Sequence, residues 1–163
     1  MIAIMAIALG LGAWASTDTD RPGPPSVAAG SQGATSVASD QVAKPIRITR
    51  VSYDPAGPDS GSNADVNREW VTITSFGQQT RRMKGWTLQD TSGHTFQFPG
   101  IRLHPNTTVT VQTGDGRATR HDLYWGMANP DWNNTGDQAT LRNRDGRLID
   151  RCRWGDGDGL RNC

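Results

Sequence analysis

Residues 70–74 read WVTIT, and this stretch decides the fold class because apolar and polar side chains alternate along it. Alternation with a period of two places every second side chain on one face, which is typical of a half-buried antiparallel strand. Similar short runs lie on either side of it, at residues 46–49, 86–88, 96–98, 107–111, 123–125, 139–141 and 148–154. No segment of helical length repeats its apolar residues at the spacing of an amphipathic helix.

Turn-forming residues separate these runs. Asp145-Gly146, for example, lies between Leu141 and Leu148 and predicts a tight hairpin. Seven to nine short strands within residues 46–163 predict an all-β fold, an antiparallel β-sandwich.

Length and charge exclude several classes of protein. The chain has 163 residues, which is too few for a large α/β enzyme. Its 17 basic and 16 acidic residues give a net charge of +1, which excludes a strongly basic nucleic-acid binder and a strongly acidic tail. Aromatic side chains, including six Trp, supply core area that the few aliphatic residues do not.

The N-terminal segment does not share the strand pattern. Residues 2–15 are apolar, too short to span a bilayer, and end in Ala13-Trp14-Ala15, which resembles a signal-peptidase site. We therefore predict a signal peptide over residues 1–15, with a buried strand or helix as the alternative. Residues 16–45 are rich in Ser, Ala, Gly and Pro and predict a flexible linker to a domain at 46–163. The mature chain is accordingly expected to be secreted or extracytoplasmic and to lack a transmembrane segment.

The chain has two cysteines, Cys152 and Cys163. In an exported protein two cysteines predict one disulfide, whereas in a reducing cytosol they would be free thiols. A loop of this length would stabilise the fold by about 3 kcal/mol in the chain-entropy account.

Oxygen-bearing side chains in the long loop of residues 54–69 raise the question of calcium. They occur at alternate positions but do not match the EF-hand spacing, and the same holds for residues 156–159. Polar loops of this composition are ordinary, because Asn and Asp favour turns. We therefore predict no metal site and leave calcium at either segment as the alternative. The loop residues concerned are Asp59, Asn63, Asp65, Asn67 and Glu69.

Sequence patterns of catalysis are absent. There is no G-x-S-x-G nucleophile motif, and both cysteines are assigned to the disulfide. His121 and Asp122 are neighbours in a strand pattern, so their side chains should point to opposite faces. We predict no catalytic residues, no cofactor and no enzymatic activity; a hydrolase with an unrecognised site is the alternative.

Several motifs together resemble the lamin-tail domain family. The resemblance extends from about residue 46 to residue 154. One departure is Asn106, which stands where the family usually has Gly. The motifs are Glu69-Trp70-Val71-Thr72-Ile73, Gly85-Trp86-Thr87-Leu88-Gln89-Asp90, Phe98-Pro99, Leu103-His104-Pro105, Leu123-Tyr124-Trp125-Gly126 and Trp132-Asn133-Asn134-Thr135-Gly136-Asp137.

The resemblance implies an immunoglobulin-like sandwich that acts as an interaction module. Bacterial relatives of this type are mostly exported. It therefore implies a stand-alone binding module and leaves the ligand open. We predict a non-catalytic module whose partner is an extracellular protein or a cell-envelope glycan. It does not specify an oligomeric state.

Two groups of side chains are candidates for ligand contact. Trp70 and Trp86 lie in strand patterns and are interpreted as core residues. Trp125 and Trp132 flank a polar loop and are either ligand contacts or aromatic residues that fix the loop to the sandwich.

The second group is basic. Arg147, Arg151 and Arg153 are spaced so that an unbroken strand would place them on one side, where they could meet phosphates. Nucleic-acid binding by this last hairpin is therefore the alternative function, and a solvated outer face is the simpler interpretation. A second basic group, Arg81, Arg82 and Lys84, lies in one predicted turn.

Overall fold

The computed structural model describes residues 44–57 and 60–163. The predicted signal peptide, residues 1–15, and nearly all of the predicted linker lie outside the described residues. Regular structure in the described part is almost entirely strand, which confirms the all-β prediction.

Eleven strands and one short helix make up the described part of the chain. Eight of the strands coincide with the predicted alternating runs, and the other three (β3, β6 and β11) are only two or three residues long. The helix is α1, Asn63–Val66. The strands are β1 Ile46–Ser52, β2 Trp70–Ser75, β3 Arg81–Arg82, β4 Thr87–Gln89, β5 Thr95–Gln97, β6 Arg102–Leu103, β7 Thr108–Gln112, β8 Asp122–Tyr124, β9 Gly136–Arg142, β10 Leu148–Gly155 and β11 Leu160–Asn162.

The strands form two main sheets and a small ribbon. A five-stranded sheet has the order β11-β1-β2-β7-β8, and a four-stranded sheet has the order β10-β9-β4-β5. Strands β3 and β6 form the ribbon. All pairs are antiparallel except β7 and β8, which run parallel, so the purely antiparallel expectation is wrong at this edge.

The hydrophobic core lies between the two main sheets. Val71 and Ile73 point inward from β2, and Leu88 and Leu141 point inward from the other sheet; all four are fully buried. Because the inward residues alternate with half-exposed polar ones, the sequence pattern alone accounts for the two-layer packing.

Trp70 does not belong to this core, contrary to the sequence interpretation. It is half-buried on the outer face of β2, and the Arg50 guanidinium lies 5.5 Å from its ring centroid. The alternation fixes two faces, and the β-branched Val71 and Ile73 occupy the inner one. Trp86 is buried as predicted, with 8% of its surface exposed.

The predicted Asp145-Gly146 hairpin joins β9 to β10. Gly146 has a φ of 76°, a left-handed conformation that glycine adopts without a Cβ penalty. Asn106, which replaces the family's usual Gly, also has a positive φ, of 55°, and Asn is one of the few residues that tolerate it.

The disulfide between Cys152 and Cys163 is present, as predicted. It ties β10 to the C-terminal residue, whose backbone N–H donates to the Thr49 carbonyl over 2.9 Å. Strand β11, just before it, pairs with β1. Strand β11 lies at the edge of the five-stranded sheet, and β10, which contains Cys152, belongs to the four-stranded sheet. The disulfide therefore links the C-terminal segment of one sheet to the other sheet.

Candidate binding surface

Charged side chains separate to the two ends of the four-stranded sheet. Strand β9 has seven residues, so its ends lie about 20 Å apart. We define the basic end as the cations around the β9–β10 turn and the acidic end as the carboxylates where β9 begins. The basic end comprises Lys44, Arg81, Arg82, Lys84, Arg102, Arg144 and Arg147, and the acidic end Glu69, Asp90, Asp131 and Asp137.

Strand pairing builds the basic end. In the β3–β6 ribbon Arg82 lies opposite Arg102, and both are exposed. In the main sheet Thr87 of β4 pairs with Arg142 of β9, so the residues just before β4 lie beside the β9–β10 turn. A Cβ on Gly85 would lie 3.5 Å from the Cβ of Arg144, which places these two chain segments in contact.

Two adjoining clefts open between these cations. One, with a volume of about 500 Å³, is lined by Lys44, Arg81 and Arg147, with the indole of Trp86 beside them. The other, of about 610 Å³, is lined by Arg82, Lys84 and Arg144 together with Gln97. A guanidinium presents a planar fork of N–H donors, which matches phosphate, sulfate and carboxylate groups.

Few carboxylates neutralise the basic end. Lys44 Nζ pairs with Asp150 Oδ1 at 2.8 Å, and Arg144 Nε lies 3.5 Å from Asp145 Oδ1 on an exposed turn. Within the part of the chain that the structure describes, Arg81, Arg82 and Arg147 form no ion pair. Their charge is therefore available to an anionic ligand.

The three predicted arginines do not share one face. A β-bulge between Leu148 and Asp150 breaks the alternation on which that prediction depended. Arg147 consequently lines the basic end, before β10 begins. Arg151 and Arg153 are exposed farther along β10, opposite Thr140 and Gln138, and Arg153 Nε donates to the Gln138 amide oxygen. The structure thus places the predicted arginines in two separate groups.

Trp125 and Trp132 lie away from the basic end. Trp132 is 2% exposed and stacks edge-on against Trp154, whose centroid is 5.6 Å away. Trp125 is half-buried, 5.5 Å from Trp132. This is the loop-fixing arrangement that the sequence left open, and the buried Trp132 ring offers no face to a ligand.

The polar side chains of the long loop form hydrogen bonds with neighbouring segments of the chain. The amide groups of Asn63 and Asn67 both donate to the carbonyl of Asp115, over 2.9 and 2.8 Å. The Asp65 N–H donates to the Ser62 hydroxyl oxygen over 3.2 Å. The Asp65 carboxylate accepts the Ser60 N–H over 3.0 Å and pairs with Arg68 at 3.1 Å. These contacts fix the loop against the β7–β8 connection; Asp59 lies outside the described residues.

His121 and Asp122 do not form a catalytic pair. The Asp122 carboxylate accepts the Thr119 hydroxyl hydrogen over 3.2 Å, and His121 Nδ1 lies 3.2 Å from the Thr108 carbonyl oxygen. Each side chain therefore has its own partner.

The sequence signal for the basic end was partial. Arg81, Arg82 and Lys84 form a visible group in the sequence, but nothing local relates them to the turn 60 residues farther along. That relation depends on the pairing of β4 with β9. Lys44, the first residue that the structure describes, gave no signal in the sequence.

The fold is a small immunoglobulin-like β-sandwich that is closed by a disulfide. The lamin tail domain family matches residues 39–156, and the chain belongs to this family of interaction domains. No individual curated protein matches the chain significantly. Among the described residues, no helix is long and apolar enough to cross a membrane.

Proposed function

We propose that this protein is an exported, non-catalytic interaction module that binds an anionic glycan of the cell envelope at its basic end. The observation that carries the proposal is the group of unpaired guanidinium groups at the two adjoining clefts. Arg81 and Arg147 line one cleft and Arg82 lines the other, so one extended chain could contact all three.

The shape of the basic end favours a polymer over a small ligand. Both clefts are partly open to solvent rather than closed pockets, and one of them is lined by Trp86 at the edge of the core. Small-molecule sites are usually enclosed, whereas a chain of repeating anionic units gains affinity from several weak contacts.

Export is supported by the disulfide and by the pattern of residues 1–15. Disulfides persist in oxidising compartments and are rare in the cytosol. A fusion of residues 1–45 to alkaline phosphatase, which is active only outside the cytoplasm, tests this directly. An inactive fusion that is expressed and remains in the cytoplasm would refute the export part of the proposal.

Binding is tested with defined polymers. Dextran sulfate serves as the anionic glycan probe and neutral dextran as its control, in buffer of low ionic strength. We expect Arg81→Gln with Arg147→Gln to weaken dextran sulfate binding about tenfold, which corresponds to a loss of about 1.4 kcal/mol. The matched control is Arg151→Gln with Arg153→Gln, which removes the same charge from the outer face of β10 and should change affinity less than about twofold.

The alternative partner is nucleic acid, favoured by the exposure of Arg151 and Arg153 on one strand. The same variants distinguish it. Two results together would identify nucleic acid as the partner and refute the glycan proposal. A DNA duplex would bind more tightly than dextran sulfate at equal salt, and Arg151→Gln with Arg153→Gln would reduce the number of counterions released on DNA binding by about two. Equal loss in both double variants would also contradict a specific role of the basic end.

A further inference from the structure

Three side chains with metal-binding atoms converge at the acidic end. Asp90 follows β4, His94 precedes β5, and Asp131 comes from the loop before β9. The β4–β5 turn fixes the first two, because Asp90 Oδ1 accepts the Gly93 N–H over 2.7 Å and the Asp90 N–H donates to the His94 carbonyl over 3.3 Å. The hairpin and the loop thus bring one imidazole and two carboxylates together.

The distances suit ligands of a single ion. His94 Nδ1 lies 2.7 Å from Asp131 Oδ1 and 3.1 Å from Asp90 Oδ2. All three ligand atoms lie within 4.8 Å of one another. Metal–ligand bonds of about 2.1 Å place neighbouring ligand atoms about 3 Å apart, so small side-chain adjustments would admit an ion between them.

A buried polar atom in this cluster has no partner. The Asp131 side chain is only 1% exposed, and its Oδ2 accepts no hydrogen bond in the part of the chain that the structure describes. The Asp90 side chain is fully buried. The single hydrogen on His94 Nδ1 is shared between two carboxylates, and the unpartnered Asp131 Oδ2 is costly to bury.

The charges of the cluster do not balance within the protein. Two buried carboxylates face one imidazole, so even a protonated His94 leaves a net charge of −1. The Asp137 carboxylate lies close by and adds negative charge. Burial raises the pKa of Asp131, and the carboxylates of Asp131 and Asp90 raise the pKa of His94. A divalent cation with a neutral imidazole would cancel the two carboxylate charges.

We propose that Asp90, His94 and Asp131 form a binding site for a divalent transition-metal ion of the zinc type. An imidazole nitrogen with two carboxylate oxygens is a ligand set for Zn²⁺ or its near neighbours, whereas Ca²⁺ and Mg²⁺ prefer oxygen ligands alone. The His94 ring is 54% exposed, so an ion can enter from solvent. Three protein ligands leave at least one coordination position for water or for a partner's side chain.

The bound ion would tie the β4–β5 hairpin to the loop before β9. Those two segments are otherwise joined here by the side chain of Asp137, which accepts hydrogen bonds from the Thr91 N–H and hydroxyl. The site is therefore expected to increase the stability of the acidic end when the metal is present.

The experiment is a titration of the chelator-stripped, oxidised protein with ZnCl₂, followed by calorimetry and by thermal melting. We expect one equivalent of Zn²⁺ to bind and to raise the melting temperature, and excess Ca²⁺ to do neither. His94→Ala should weaken Zn²⁺ binding at least about tenfold. His104→Ala is the matched control, because His104 is also an exposed histidine and its Nδ1 contacts the Thr80 hydroxyl at 3.1 Å; it should bind Zn²⁺ like the wild type.

Asp131→Asn provides a second variant that keeps the shape of the side chain. It should also lose at least about tenfold in Zn²⁺ affinity, and its folding is checked by its melting curve without metal. The proposal is overturned if the wild type binds no Zn²⁺, or if both His94→Ala and Asp131→Asn bind it as tightly as the wild type does. A loss confined to His104→Ala would place the ion on that exposed histidine and would equally refute the site.

Discussion

Glu69→Gln should remove much of the pH dependence of folding stability. Glu69 is the only Glu in the sequence, and it is 2% exposed just before β2. Burial raises the pKa of its carboxyl group from 4.5 to about 7, although hydrogen bonds such as that from the Asp131 N–H act in the opposite direction. Gln has nearly the same shape and can accept the same hydrogen bond without titrating.

The direction in which stability changes with pH follows from proton binding by the folded and unfolded states. Between about pH 4.5 and pH 7 the folded Glu69 keeps its proton while the unfolded one releases it, so the folded state binds more protons and stability falls as the pH rises. The difference between the two pKa values, at 1.36 kcal/mol per unit, amounts to about 3 kcal/mol once the pH exceeds 7. His94 and Asp131 also have raised pKa values and add a decrease of the same sign.

The assay is urea unfolding of the oxidised protein with a chelator present, at about pH 4.5 and about pH 8.5. We expect wild type and Glu69→Gln to be similarly stable at the lower pH and the variant to be up to about 3 kcal/mol more stable at the higher one. Asp145→Asn is the control, because its side chain is 72% exposed and its replacement should leave the pH dependence unchanged. If Glu69→Gln loses as much stability as the wild type between the two pH values, the reasoning about Glu69 is wrong.

Three further predictions concern stability, each measured by urea unfolding at neutral pH. Gly159→Ala should cost about 2 kcal/mol or more, because Gly159 has a φ of 81° and a Cβ there would collide with the backbone of Asp54. Replacing Cys152 and Cys163 with Ala should cost about 3 kcal/mol, and an unchanged midpoint would contradict the role of the disulfide. Asp137→Ala should cost about 3 kcal/mol, because this buried carboxylate accepts four hydrogen bonds whose donors would be left without an acceptor.

The main strands could be predicted from the sequence because their signal is local. A strand with one buried face has an apolar residue at every second position, and all eight runs with this alternation are strands in the structure. The two-residue strands β3 and β6 are too short to carry a period. They form because Arg81 pairs with Leu103 and Arg82 with Arg102, and these partners are far apart in the sequence.

The faces of the strands were harder to assign than the strands themselves. Alternation predicts two faces but does not say which one is buried when both carry large side chains. In β2, Trp70 and Val71 lie on opposite faces, and the face of Val71 and Ile73 is the one that packs in the core. The strand β10 was predicted correctly. The bulge at Ile149 shifts the alternation within it, however, so the prediction that Arg147 shares a face with Arg151 and Arg153 was wrong.

The acidic end could not have been predicted from residue spacing. Asp90 and His94 are four residues apart within one turn, a pattern that surface turns often show. Asp131 is far along the chain and reaches them only because β4 pairs with β9. The buried, unpartnered Oδ2 of Asp131, which distinguishes this cluster from an ordinary acidic turn, is a property of packing.

The net charge of +1 conceals a strong separation of charge along one sheet. The basic and acidic ends lie about 20 Å apart along β9, which is more than twice the screening length of about 8 Å at physiological ionic strength. The basic end therefore presents its charge to a partner although the whole domain is nearly neutral, whereas the carboxylates of the acidic end are buried. It follows that removing Arg81 and Arg147 should leave Zn²⁺ affinity at Asp90, His94 and Asp131 unchanged, since screening decouples two surfaces at that distance.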